Sequence, residues 1–299
     1  MALIQRFVLI TSALAAICSS GSSHGADPLS FSGKARLGSE YQSNVNISAL
    51  QQASGQSDSA TLLEAELAAS WQASANFKLD AGYSIQNKAY RQASDFDTRL
   101  QLAYVDASYQ LGQHSVGANI YHANAQLDSA AFLKLNQASL YTMVSGSDTW
   151  FIRPALTMAK KVFARNDERD ASTFSASADS FWFSESGQHF FSIGLVWEDE
   201  SSRDNVFSYT APGARAKLSH RFTLWQYQQQ LQLGARVSQR DYQTAERADT
   251  QAVVEASWQV SLNQRFAVIG KVEHGDFSST IDSADYRETR SALLLQLGF

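Results

Sequence analysis

Apolar and polar residues alternate along most of the chain from residue 29 to the C-terminus. In the first segment, Leu29, Phe31 and Leu37 share one face, while Lys34 and Arg36 lie on the other. Between residues 225 and 240 one face carries Trp225, Tyr227, Leu231, Leu233, Ala235 and Val237, and the other carries Gln226, Gln228, Gln230, Gln232, Arg236, Ser238 and Arg240. Because successive side chains of a strand point to opposite faces, this period of two predicts β-strands.

The alternating segments run to about ten or more residues, which is the length that a tilted strand needs to cross a bilayer. Strands of soluble β-sandwiches also alternate, but they usually have five or six residues. We expect about fourteen segments, an even number as in bacterial barrels. They begin near Leu29, Thr61, Phe77, Phe96, His114, Phe132, Trp150, Ala171, His189, Val206, Trp225, Gln251, Arg265 and Tyr286.

The connections alternate in length. Those after even segments are short, such as 73–76, 111–113, 145–148, 185–188 and 262–264, whereas those after odd segments are mostly longer and acidic, such as 42–59, 87–95, 164–170, 199–205, 242–249 and 277–285. Transmembrane barrels combine short periplasmic turns with long outer loops. The sequence therefore predicts an all-β fold, a transmembrane antiparallel up-and-down barrel of about fourteen strands.

Aromatic residues support this prediction, because lipid-facing barrel walls carry aromatic bands at both interfaces with water. Near the short turns lie Trp71, Phe77, Tyr109, Trp150, Trp182, Phe191, Phe222, Trp225, Trp258, Phe266 and Phe299, and near the long loops lie Tyr41, Phe132, Phe163, Phe174, Trp197, Phe207, Tyr242 and Phe277. Two segments are irregular. Residues 96–111 change phase around Tyr104, where we expect a bulge, and residues 132–144 have no clean face.

The N-terminus predicts export. Residues 1–6 carry one positive charge, residues 7–18 are apolar, and residues 21–26 are small and polar, the order of a secretory signal peptide. We place the signal peptide at residues 1–25 and the barrel domain at residues 26–299. Ile17 disfavours a lipoprotein signal ending at Cys18, and because Cys18 is the only cysteine, the mature chain would hold no disulfide and no thiolate site.

The last strand predicts the cellular location of the protein. Leu293, Leu295, Leu297 and the terminal Phe299 form one apolar face. Outer-membrane barrels of Gram-negative bacteria end in such a strand, which the barrel assembly machinery recognises during insertion. We therefore predict that the protein lies in the Gram-negative outer membrane, with lipid and this machinery as partners.

Composition excludes other classes. The net charge is −5 and no basic run is present, so no nucleic-acid partner is expected. After the N-terminal segment, no run approaches the roughly 20 apolar residues of a membrane helix. Metal-ligand spacings, glycine-rich phosphate loops and nucleophile elbows are also missing from the sequence, so no cofactor or metal and no catalytic residue is predicted. We expect a protein that is not an enzyme; His122 and His274 would be the first residues to mutate if it were one.

The polar face would line the lumen. The pore candidates are Lys34, Arg36, Glu64, Glu66, Lys78, Arg153, Arg215, Lys217, Arg236, Arg240, Glu255 and Lys271, and with Lys88, Arg99, Lys161, Arg221 and Arg290 they give an expected basic excess. Two interpretations stand side by side. Fixed positive charge would select anionic solutes, or the charges would form cross-strand ion pairs, with Glu64 and Glu66 meeting Lys34, Arg36 and Lys78.

The first long connection, Gln42 to Ser59, offers two further alternatives. It could fold into the lumen as a plug, or it could be a mobile exposed loop; the exposed loop is the simpler expectation for a polar connection.

Three short motifs carry a family resemblance. Residues 38–45 (GSEYQSNV), Arg240-Asp-Tyr242 and Ala284-Asp-Tyr286-Arg287 resemble the barrel part of surface lipoprotein assembly modifiers and related tetratricopeptide-linked outer-membrane barrels. That resemblance implies a fourteen-strand barrel that helps to move lipoproteins or polymers to the cell surface. No helical-repeat domain is expected before the first strand, and monomeric fourteen-strand porins are the competing resemblance.

The sequence thus leaves three functions open. A passive or accessory channel for small, possibly anionic, solutes is preferred. The alternatives are an export or assembly barrel for surface lipoproteins or polysaccharide, and a structural or adhesive surface barrel.

Overall fold

The chain forms a closed barrel of fourteen antiparallel strands. A computed structural model describes residues 28–47, 49–50 and 52–299, so the predicted signal peptide lies outside the described residues. The barrel strands are β1 (Leu29–Gln42), β4 (Asp58–Gln72), β5 (Phe77–Tyr90), β6 (Thr98–Leu111), β7 (His114–Leu127), β8 (Ala130–Ser147), β9 (Trp150–Phe163), β10 (Ala171–Phe183), β11 (His189–Ser202), β12 (Tyr209–Leu224), β13 (Tyr227–Tyr242), β14 (Ala248–Ser261), β15 (Phe266–Ser279) and β16 (Tyr286–Gly298).

The predicted fold class and strand number are confirmed, and every strand begins within three residues of its predicted start. A two-residue hairpin, β2 (Asn46–Ile47) with β3 (Gln52–Ala53), lies in the first long connection. In the described part of the chain, no helix is long and apolar enough to cross a bilayer.

The barrel closes between its first and last strands. β1 pairs with β4 on one side and with β16 on the other, so that Leu37 lies opposite both Leu63 and Leu295. The last residue extends this seam, because Gly33 N–H donates to the Phe299 carbonyl at 2.8 Å and Phe299 N–H donates to the Gly33 carbonyl at 3.0 Å. Closure pairs both edges of the sheet, as a barrel in lipid requires.

The two faces of the wall differ as predicted. The large apolar side chains of the alternating pattern are exposed on the outside, where they contact lipid, and they include Leu293, Leu295, Leu297 and Phe299. The neighbouring Leu294 faces inward and is only 1% exposed. All aromatic residues predicted near the short turns lie on outward positions or in a turn, but Phe163, Tyr242 and Phe277 of the outer band face inward and are buried.

Two of the two-residue turns have the same backbone conformation. Trp225 and Gln226 have φ angles of 49° and 65°, and Asp128 and Ser129 have φ angles of 47° and 60°. Paired left-handed residues are typical of type I′ turns, whose twist matches that of the flanking strands. Trp225 therefore lies in a turn, and the prediction that it begins the eleventh strand is wrong.

Four outer loops contain a short 3₁₀ turn, at Ser94–Phe96, Asp167–Arg169, Asn205–Phe207 and Asp282–Ala284. A polar side chain just after each turn accepts a hydrogen bond from the end of the preceding strand. Tyr90 N–H donates to Asp97 Oδ1 at 2.7 Å, Phe163 N–H donates to Asp170 Oδ1 at 2.7 Å, and Ser202 and Ser279 donate to Ser208 and Asp285 in the same way. Some of the acidic loop residues thus stabilise their own loops by hydrogen bonds to the strand ends.

One loop also carries a cation against an aromatic ring. The Arg169 guanidinium lies 4.0 Å from the centre of the Phe207 ring, so that two neighbouring outer loops contact each other. Burial lowers the pKa of Arg169, but an arginine still carries its charge at neutral pH.

The irregular segments have a different cause from the one expected. β6 pairs without interruption on both sides, so there is no bulge at Tyr104; instead Leu100 and Leu102 face inward and are buried. The register shifts lie on β8, opposite Ala125 and Gln126 and again between Ser145 and Ser147. Between these shifts β8 pairs regularly, so the missing clean face of residues 132–144 has another cause: Leu133 and Leu135 face inward and are buried, whereas Lys134 and Asn136 face outward.

Candidate functional site

The lumen contains equal numbers of basic and acidic side chains in the described strands. The inward basic residues are Lys34, Arg36, Lys78, Lys88, Arg153, Lys161, Arg215, Lys217, Arg221, Arg236, Arg240, Lys271 and Arg290. The inward acidic residues are Glu40, Asp58, Glu64, Glu66, Asp80, Asp106, Asp179, Glu198, Glu200, Asp249, Glu255, Glu273 and Glu288. All twelve pore candidates lie on this face, and their role in a pore stays a prediction.

The expected basic excess is wrong for two reasons. Arg99 points outward, where it donates to Asn87 Oδ1 at 2.8 Å. Five inward acids were also missed, namely Asp58, Asp106, Glu200, Asp249 and Glu288. Most of them stand near strand ends, where the alternation alone does not show which face a residue takes.

Ion pairs join many of these charges across neighbouring strands. The predicted pair of Arg36 and Glu64 is present at 3.0 Å, and Arg36 also donates to Gln296 Oε1 of β16 at 2.8 Å. Lys34 lies opposite Glu66 in the register, whereas Lys78 pairs with Asp80 of its own strand at 3.0 Å. Such cross-strand pairs hold adjacent strands together.

A bidentate ion pair joins β10 and β12. Arg215 donates to both carboxylate oxygens of Asp179, at 2.8 Å and 2.6 Å, although β11 separates the two strands. Gly194 of β11 lies beneath this pair, and a Cβ there would collide with the Asp179 carboxylate. The glycine therefore makes room for the interaction.

A second buried network links β9 to β13. Lys161 and Thr173 both donate to Glu200, and the Tyr209 hydroxyl donates to Glu198 at 2.8 Å and to Glu200 at 3.1 Å. The Arg240 guanidinium lies 4.9 Å from the centre of the Tyr209 ring. Because the acids and bases here satisfy one another, this part of the wall presents little free charge to the lumen.

Seven of the thirteen inward bases form no ion pair within the described part of the chain, namely Lys34, Arg153, Lys217, Arg221, Arg236, Arg240 and Lys271. Three of them, Lys217, Arg236 and Lys271, lie on β12, β13 and β15. Arg236 lies directly opposite Arg215, and its Nη2 is buried with no hydrogen-bond partner in that same part. Like charges opposite each other are unfavourable, so this unpaired group is the clearest excess of positive charge on the inner wall.

The first long connection folds into the lumen. We call the described residues of this connection, 43–47, 49–50 and 52–57, the inner loop. Val45 is fully buried, and its N–H donates to the Gln56 carbonyl at 2.8 Å. The expectation of a mobile exposed loop is therefore wrong, and the alternative of an infolded loop is correct.

Glu288 of β16 anchors the base of the inner loop. It is only 1% exposed, and it accepts hydrogen bonds from Gln42 Nε2 at 2.8 Å, from Asn46 Nδ2 and from Arg290 Nη2 at 3.0 Å. Arg290 Nη2 also lies 2.6 Å from the other carboxylate oxygen. The Tyr90 hydroxyl completes the cluster by donating to Gln42 Oε1 at 2.6 Å.

The tip of the inner loop reaches the opposite sector of the wall. Ala49 and Leu50 pack against inward-facing apolar residues of β6 to β9, namely Leu100, Leu102, Tyr121, Ala123, Ala125, Leu133, Leu135 and Phe163. An apolar patch inside an aqueous lumen is unfavourable unless something covers it. This patch explains both the infolding and the apparent phase change in the sequence of β6, because Leu100 and Leu102 are apolar residues on the inner face.

The two candidate catalytic histidines do not converge. His122 faces outward and its Nδ1 lies 2.8 Å from Asn136 Oδ1, and His274 faces outward with its Nδ1 2.9 Å from Thr289 Oγ1. No cluster of three or more metal-ligating side chains exists among the residues that the structure describes. The inner loop and the charged wall are therefore the candidate functional site.

Comparisons with solved structures find the same fold. The anion-selective porin from Comamonas acidovorans matches with a TM-score of 0.53 and 8% identity over 91% of this chain and 99% of that one. OmpT, an outer-membrane protein of Vibrio cholerae, matches with a TM-score of 0.56 and 8% identity over 91% of this chain and 100% of that one. CdiB from Acinetobacter baumannii matches with a TM-score of 0.51 and 8% identity over 92% of this chain and 60% of that one.

Sequence comparison is more specific. The comparison with curated proteins found no match. The profile of the surface lipoprotein assembly modifier family matches residues 35–265, from the first barrel strand into the turn before β15. Together with the closed barrel and its outer-membrane structural neighbours, this match places the protein in the Gram-negative outer membrane. The chain belongs to the surface lipoprotein assembly modifier family.

Proposed function

We propose that this barrel assists the display of lipoproteins on the cell surface and that its inner loop keeps the lumen closed between transport events. The observation that carries the proposal is the inner loop, which Glu288 anchors at its base while Leu50 packs on the wall of β6 to β9. Family membership supports the cargo class. A barrel that moves a large client must open widely, and a loop held by a few contacts gives such a barrel a reversible closure.

The charge arrangement fits this role better than free diffusion of anions. Half of the inward charges take part in ion pairs, and inward acids equal inward bases in the described strands. Paired charges contribute little to ion selection, because their fields cancel over a short distance.

The test is surface display in the native bacterium. A strain without this gene should retain its lipoproteins but lose their surface exposure, measured by protease shaving of intact cells and antibody detection. Re-expression of the full chain should restore the exposure. Unchanged exposure of all surface lipoproteins in the deletion strain would refute the proposal.

A passive channel is the second candidate function, and the unpaired Lys217, Arg236 and Lys271 favour it. Here the purified barrel alone would conduct chloride in a planar bilayer. Steady conductance combined with normal lipoprotein display in the deletion strain would establish this candidate instead.

Insertion by the barrel assembly machinery is part of the same proposal. Its support is the last strand, whose outward face ends in Leu293, Leu295, Leu297 and Phe299.

A further inference from the structure

The outer ends of β6 to β9 carry polar side chains on the lipid-facing side of the wall. We call the following set the outer-wall patch: Arg99 and Gln101 of β6, His122, Asn124 and Gln126 of β7, Lys134 and Asn136 of β8, and Lys160 of β9. Arg99, His122, Lys134 and Lys160 are exposed. Elsewhere on the outside of the barrel, the outer strand ends mix apolar and polar residues and include acids, as at Gln239, Asp241, His274 and Asp276.

The patch is continuous across four strands. In the register, Gln101 lies opposite Asn124, which lies opposite Lys134 on its other side. In the next row, His122 lies opposite Asn136, and Asn136 lies opposite Lys160. Neighbouring strands are about 4.8 Å apart, so these side chains form one surface rather than separate sites.

The charge of this surface has a single sign. Outward positions of β5 to β9 hold no Asp or Glu, whereas outward acids occur on other strands, as Asp199 of β11, Asp241 of β13 and Asp276 of β15. The basic groups also lack acidic neighbours. Arg99 donates to the Asn87 amide oxygen, which orients the guanidinium and leaves its charge unpaired by any described carboxylate.

The apolar band on the outward face of β7 is short. On β7 only Val116, Ala118 and Ile120 provide apolar outward rows between His114 and His122. Each row advances about 5 Å along the membrane normal in a tilted strand, so three rows cover about 15 Å of an apolar band that is usually about 25 Å tall. The polar rows of β7 therefore reach into the level of the outer leaflet, whereas β6 and β9 have five apolar outward rows each below Gln101 and Lys160.

We infer that the outer-wall patch binds the phosphorylated headgroups of outer-leaflet lipids. Phosphate oxygens accept charge-assisted hydrogen bonds from Arg and Lys, and the amide side chains of Gln101, Asn124 and Gln126 add donors beside them. Such binding gives the polar side chains of the patch hydrogen-bond partners where the wall meets lipid. It also holds this side of the barrel at a constant depth in the outer leaflet. The inference does not depend on the proposed function.

The test uses the full barrel in nanodiscs of phosphatidylcholine containing lipid A as the phosphorylated probe. After detergent exchange, mass spectrometry counts the lipid A that each barrel retains. The variant R99Q/K134Q/K160Q removes three charges from the patch. The control R203Q/R265Q/R287Q removes the same charge from exposed positions outside it. All of these side chains are exposed, so both variants should fold, which the heat-dependent shift in gel mobility checks.

We expect the patch variant to retain about tenfold less lipid A than the wild type, the summed effect of three exposed ion pairs, while the control retains it normally. High salt should weaken retention by the wild type, because exposed charges are screened. Retention of dephosphorylated lipid A equal to that of lipid A would overturn the inference, as would equal retention by both triple variants. Displacement of lipid A by millimolar inorganic phosphate would identify a site for free phosphate instead and would also overturn it.

Discussion

Single residues at strand ends determine whether the inner loop stays in place. Glu288 accepts hydrogen bonds from Gln42, Asn46 and Arg290 in a nearly fully buried site. When one member of a buried ion pair is neutralised, the other remains buried without compensation, and this costs about 3 kcal/mol. The cost is large because Arg290 is itself buried, with only 6% of its surface exposed.

The substitution Glu288→Gln should therefore destabilise the barrel by about 3 kcal/mol and make the inner loop accessible to protease. Urea unfolding followed by tryptophan fluorescence measures the first effect, and limited proteolysis of the folded protein measures the second. Glu255→Gln is the matched control, because Glu255 is an exposed inward acid beside Gly234. Equal stability of both variants would show that Glu288 does not hold the loop.

Phe299 has a structural contact as well as its predicted role in insertion. It is 73% exposed, but its ring lies over Gly33 of β1, where a Cβ would collide with it. The sequence placed Phe299 on the outer face of the last strand and gave no sign of this contact, because residues 33 and 299 meet only once the barrel closes.

We expect Phe299→Ala to lower the amount of inserted barrel several-fold in cells while leaving refolding of the purified chain in detergent largely intact. Loss of a recognition signal acts on assembly, whereas loss of one exposed ring costs little stability. Quantitative blotting of outer-membrane fractions and refolding yields measure the two effects. An equal loss in both assays would assign Phe299 to stability alone.

The individual strands show which features of the fold the alternation of apolar and polar residues could predict. Strands such as β1, β4 and β13 were predicted correctly because their outward face meets lipid and their inward face meets water or polar groups. The orientation of β6 was predicted less well, because Leu100 and Leu102 are apolar on the inner face, where the inner loop covers them. At this end of the strand Arg99 and Gln101 face outward, so the polar and apolar faces are inverted and only the tertiary contact reveals the orientation.

The inner loop is the element whose release should open the lumen. A charge at Leu50 would be placed against the apolar residues of β6 to β9, and burying an unpaired carboxylate there is strongly unfavourable. Leu50→Asp should therefore free the loop and raise single-channel conductance in planar bilayers several-fold. Gln56→Asp, at an exposed position of the same loop, is the control. Unchanged conductance of Leu50→Asp would mean that the loop does not close the lumen.

At the scale of the whole molecule, the balance of charge sets the selectivity of the open barrel. Inward acids and bases are equal in number in the described strands, and many are paired. Lys217, Arg236 and Lys271 are among the inward bases without an ion pair in the described strands, and Arg236 lies opposite a second arginine, Arg215. Fixed charges select counter-ions only where they are not compensated nearby. The open barrel should therefore select anions weakly.

Under a gradient of potassium chloride, the Leu50→Asp barrel should show a small reversal potential in favour of chloride. Adding the substitutions Lys217→Gln, Arg236→Gln and Lys271→Gln should move that potential through zero toward potassium, since paired acids such as Asp179 then lie beside fewer bases. Replacing Arg99, Lys134 and Lys160 of the outer wall should leave the potential unchanged, because these residues do not face the lumen. A strong chloride preference that survives all three inner substitutions would show that other groups govern ion passage.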